Sequence, residues 1–141
     1  MVTTTVYWKE GMHFCTRVPS GELMCDESSE IGAAYPSSPE LLMASLGSCL
    51  ASVLIMYGRR HGYDLDGLRV DLDWELAENP RRVGAIAVRV HLPDTIPAEQ
   101  QPIFERVAHS CMIHNTLTHP PEIDLNLSFE AEVGAGRARA A

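Results

Sequence analysis

The chain has 141 residues, 45% of them hydrophobic and 21% charged, which is the balance of one ordinary globular domain and excludes a disordered polymer. A domain of this length buries roughly 68% of its unfolded surface, so a core forms without disulfide staples. The formal net charge of −8 excludes a nucleic-acid binder of the usual basic kind, and the short basic groups Arg59–Arg60–His61 and Arg81–Arg82 read as solvated ends of elements.

The start, MVTTTVYWKEGM, lacks the basic and apolar regions of a secretory signal. The longest apolar stretch, Leu41 to Tyr57, is interrupted by Ser45, Gly47, Ser48 and Ser52 and falls short of the ~20 residues of a membrane span. The expectation is a cytoplasmic protein with neither a membrane nor a nucleic acid as partner. In a reducing compartment its four cysteines are buried hydrophobes, metal ligands or reactive thiols rather than structural disulfides.

In chain order, the pattern predicts strands at Val2–Lys9, Met12–Arg17 and Glu22–Asp26, the last two joined as a hairpin by the Pro19–Ser20–Gly21 turn. A loop rich in Ser, Gly and Pro follows from Ser28 to Ser38. A helix is predicted from Pro39 to about His61, with Ser37 or Ser38 as N-cap and Gly62 as its stop. It is apolar nearly all round, which predicts a buried central helix, one that a partner subunit could cover. Leu68–Leu76 and Ala85–Leu92 alternate with period two on either side of Asn79–Pro80 and predict half-exposed antiparallel strands. A second helix is predicted from Ala98 to Ser110, with Cys111 at its end on the inward side. A last strand is predicted from Ile123 to Val133, before a small, polar, fraying tail, Gly134–Ala141. The predicted order βββ–α–ββ–α–β is an α+β fold, a single domain over residues 1–133.

Cys49 shares a small, weakly polar helix face with Ser45 and Ser52, and by spacing alone the plainer reading is a cysteine filling a helix contact. Cys111 lies 62 residues later with no Cys-x-x-Cys anywhere, which removes a thioredoxin-like reading. Cys15 and Cys25 flank the predicted three-residue turn, directly opposite each other. Cys111, His114 and His119, with His109 beside them, offer a zinc-like Cys-x-x-His pair, but the usual second ligand pair is missing.

The stretch Ser38-Pro-Glu-Leu-Leu-Met-Ala-Ser-Leu-Gly-Ser-Cys49-Leu-Ala-Ser resembles the central-helix motif of the OsmC/Ohr family, and Cys111-Met-Ile-His-Asn-Thr-Leu resembles its second cysteine site. The resemblance covers about residues 1–133. It implies an intertwined homodimer with central helices and active sites at the subunit interface. It also implies reduction of organic hydroperoxides, and in some members hydrogen peroxide, without a metal or other cofactor. Cys49 is then the peroxidatic residue and Cys111 the resolving one. The disulfide that closes between them is reopened by a small dithiol. Arg17 is the candidate for the family's thiolate-activating arginine, and Glu40 for the glutamate that positions it. The glycine-rich context around Arg17 is missing, and Glu40 precedes Cys49 by nine residues instead of the typical ten. Nine steps of about 100° put Glu40 across the helix from Cys49. The alternative is a non-catalytic dimeric module that holds an apolar ligand at the subunit interface, with both cysteines as packing residues.

Overall fold

The computed structural model describes residues 1–28 and 33–129. Strands β1 (Thr5–Glu10), β2 (His13–Val18) and β3 (Gly21–Asp26) form an antiparallel meander, so β2 pairs with both neighbours and not with β3 alone. The turn closes on the pair Val18 and Gly21, a two-residue loop in place of the expected three. That one-residue difference places Cys15 opposite Met24 and Cys25 opposite Phe14. Successive residues of a strand point to opposite faces, so the two cysteines lie on different sides of the sheet and not opposite each other as expected.

Helix α1 runs from Ser38 to His61. Its start is closed by a capping box in which the Ser37 N–H donates to the Glu40 carboxylate at 2.7 Å, with Pro39 in the first turn. Its end carries Arg59, Arg60 and His61, and Gly62 terminates it in the left-handed region at φ 76°. Met43, Leu46, Gly47, Leu50, Leu54 and Gly58 form the buried face, whereas Ala44, Ser48, Ser52 and Met56 are exposed. The helix is therefore buried on one side within a single chain, not all round. By length and composition α1 would suffice to cross a membrane. Here its apolar face packs on the second sheet and the following helices.

That sheet is the hairpin of β4 (Arg69–Ala77) and β5 (Arg82–His91), whose register pairs Leu72 with Val88 and Trp74 with Ile86. The expected second helix begins as a short 3-10 turn, Ala98–Gln100, continues as α2 (Gln101–Ala108), and stops before Ser110. An unexpected helix, α3 (Met112–Thr118), follows. Two apolar clusters fill the interior. Leu54, Ile96 and Phe104 lie under Tyr57 and Tyr63, and Leu46, Leu50 and Cys111 lie under Val70, Leu72 and Ile86.

The predicted last strand is not formed over 123–129, and residues 130–133 of it, like the predicted tail, lie outside the described residues. Ile123, Leu125, Leu127 and Phe129 are between 83% and 97% exposed. The alternation is present in the sequence, but nothing in the chain's own described residues covers its apolar side.

Gly58 lets α1 approach the following loop, because a Cβ there would run into the Leu65 side chain. Gly58→Ala is expected to lower stability by about 1–3 kcal/mol through this overlap, read as a lower urea midpoint at an unchanged m-value. An unchanged midpoint would mean that Leu65 yields freely.

Candidate active site

Helix α1 carries Cys49 and the chain returns with Cys111 at the start of α3. Cys111 is not the inward end of the preceding helix. It is the N-cap of α3, in an extended conformation (φ −59°, ψ 126°), and its Sγ accepts the His114 N–H at 3.4 Å. A cap residue is by nature non-helical and satisfies an otherwise orphaned donor of the first turn. Cys111 is fully buried against Leu46 and Leu50, Cys49 is half-buried beside it, and both are free thiols.

Cys49 packs against the apolar cluster that contains Cys111. Burial pushes the Cys49 thiol up, but the Cys111 S–H and the backbone N–H groups of Ile113 and Met112 outweigh it and hold Cys49 below its ordinary value. Burial also pushes the Cys111 thiol up, the Cys49 sulfur adds to this, and the His114 and Ile113 amides oppose it. The two thiols are therefore shifted in opposite directions, Cys49 down and Cys111 up. Three consecutive amides, 112 to 114, are the groups that reading side chains alone overlooked. Their sequence signal is slight, a short run after Cys111 with no clear apolar period.

Arg17 and Glu40 do not join this arrangement within the chain. Arg17 faces Glu22 directly across β2 and β3, bonds its carboxylate at 2.9 Å, and lies 5.5 Å from the centre of the Tyr7 ring. Glu40 is drawn below the usual carboxylate range by the Ser37 amide and hydroxyl, which it accepts in the capping box. Each is satisfied by its nearest complementary group, and neither is among the groups acting on Cys49.

The other two cysteines belong to the first sheet. Cys25 donates to Glu27 at 2.9 Å, and Glu27 also accepts the Ser38 amide at 2.6 Å, tying β3 to the start of α1. Burial and the Glu27 carboxylate push the Cys25 thiol up to about 11. Cys15 is buried.

Among the described residues no three His, Cys, Asp or Glu side chains are arranged to hold a metal ion. His119 ends α3 and turns back to the Asn115 carbonyl, whereas His109 and His114 meet edge to face at 5.1 Å. These two histidines wall one end of a cavity of about 840 Å³ between α1, α2 and β5. Leu50, Leu54, Val88 and Phe104 form much of its apolar lining, with Asp94 and Glu105 also on it. Leu50 and Ala108, at the histidine end, also pack on Cys111.

Residues 31–126 match the family model of OsmC-like proteins. The chain belongs to the OsmC-like family. Solved structures show the same fold. One from Psychrobacter arcticus 273-4 is 22% identical with a TM-score of 0.73, covering 82% of this chain and 88% of that one. An OsmC-like protein from Mycoplasma pneumoniae is 16% identical at 0.72, covering 85% and 89%. An organic hydroperoxide resistance protein from Elizabethkingia anophelis is 16% identical at 0.63, covering 85% and 89%. No curated protein matches the sequence.

Alkylation followed by mass mapping checks how Cys25 is held. Its labelling is expected to rise with a midpoint near pH 11, and Glu27→Gln is expected to move that midpoint down by removing both the acceptor and the charge. An unmoved midpoint would assign the shift to burial alone.

Proposed function

We propose that the protein is a thiol-dependent peroxidase that reduces organic hydroperoxides to alcohols. The observation that carries this is the sulfur pair itself: a half-buried Cys49 thiol, shifted down, packed on the cluster that holds the fully buried Cys111 thiol, shifted up. The Cys49 thiolate attacks the outer oxygen of the hydroperoxide, the O–O bond breaks, and the alkoxide takes a proton and leaves as the alcohol. Cys49 is left as a sulfenic acid. Cys111 attacks its sulfur, the S–S bond forms, the S–O bond breaks, and water leaves. A dithiol reductant then reopens the disulfide by exchange. The amides of Met112 and Ile113 take the part expected of Arg17. The relatives named for organic hydroperoxide resistance support this substrate class.

The working form in this reading is a homodimer. Val6 and Trp8 on β1 and the alternating apolar residues of 123–129 are exposed. Ala44, Ser48 and Ser52 leave a close approach open on α1. A second copy of the chain is the partner that buries these faces. The other reading, a non-catalytic module for an apolar ligand, has the cavity in its favour, but it gives no account of a Cys49 thiol held down.

Purified protein with a dithiol is expected to consume cumene hydroperoxide. Cys49→Ser is expected to abolish turnover, while Cys111→Ser still spends one equivalent and then stalls as a sulfenic or over-oxidised species. A fully active Cys49→Ser would end the proposal, and retention of all four thiols after one equivalent of peroxide would favour the binding module.

A further inference from the structure

Disulfide closure requires the Cys111 thiol to lose its proton at a sulfur that is 0% exposed. Burial keeps that proton in place. Only a thiolate is an effective nucleophile, so closure calls for a base at an enclosed position.

One side chain is placed for it. The backbone N–H of His114 donates to Cys111 Sγ at 3.4 Å, which anchors the residue beside that sulfur. Its ring nitrogen Nδ1 is enclosed by protein and has no hydrogen-bond partner, the one side-chain nitrogen or oxygen of this kind among the described residues. Buried polar atoms are normally paired, and an exception points to a water, an ion or a chemical role. The same ring forms part of the cavity wall, next to His109. An unpaired ring nitrogen thus lies on the residue whose own amide bonds the buried sulfur.

We propose that His114 is the general base of disulfide closure, an inference that rests on the peroxidase reading. The imidazole takes the Cys111 proton as that sulfur attacks the Cys49 sulfenic acid. It returns the proton to the departing hydroxide, so one water leaves and His114 ends neutral as it began.

The test is a single turnover of the reduced full chain with one equivalent of cumene hydroperoxide, following peroxide loss and disulfide formation separately. His114→Ala and His114→Gln are expected to spend the peroxide at the wild-type rate and then close the disulfide about 100-fold more slowly, as loss of a general base does. Excess peroxide then drives Cys49 on to the sulfinic acid. Added imidazole is expected to restore closure in His114→Ala, and pyrrole, equal in size but without a basic nitrogen, is not. Closure at the wild-type rate in both variants, or equal rescue by pyrrole, overturns the inference and leaves the peroxidase reading standing. A wild-type protein that forms no sulfenic acid overturns both.

Discussion

The site depends on how the chain turns from α2 into α3. Cys111 leaves helical geometry to cap α3, its sulfur accepts the His114 N–H, and the amides of Met112 and Ile113 lower the Cys49 thiol. A helix start always has unsatisfied N–H groups. Here they are spent on sulfur. The apolar cluster of Leu46, Leu50 and Cys111 fixes the distance between α1 and this turn, so packing and electrostatics enforce the same arrangement. Moving either helix would cost both.

Charge in this site is set by opposing effects of comparable size. Burial raises both thiols, and a sulfur is depressed only where donors outnumber that penalty. Cys49 has three donors, whereas Cys111 spends its own proton on Cys49 and stays high. Cys25 shows the opposite limit, a buried thiol beside a carboxylate, driven far from reactivity. The buried or half-buried thiols thus differ by their neighbours, with Cys49 lowered and Cys25 and Cys111 raised. The neighbours of Cys25 also hold the start of α1 in place, since Glu27 accepts from both the Cys25 thiol and the Ser38 amide.

Much of this was legible in the amino-acid order. The alternation at Leu68–Leu76 and Ala85–Leu92 became β4 and β5, and Pro39 to Gly62 became α1, because each pattern is satisfied by contacts inside the chain. The same alternation at Ile123–Phe129 produced no strand, since period two describes a side that is covered and does not supply the cover. Helix α3 was missed because Cys111–Thr118 is too short to show a period. Arg17 and Glu40 went elsewhere for local reasons: Glu22 faces Arg17 in register, and Ser37-x-x-Glu40 is itself a capping box that the spacing already contained. The Cys15 and Cys25 pairing turned on a single turn residue, the least certain quantity a strand pattern offers.

The central claim is that Cys111 and backbone amides lower the Cys49 thiol below its ordinary value, with no arginine required. Titrating the ultraviolet absorbance of thiolate in the wild type against Cys49→Ser measures this directly. The account predicts a difference signal with its midpoint below the ordinary cysteine value of about 8.5, one that persists in Arg17→Ala and moves up in Cys111→Ala. A midpoint at or above that value, or one that rises only when Arg17 is removed, would contradict it.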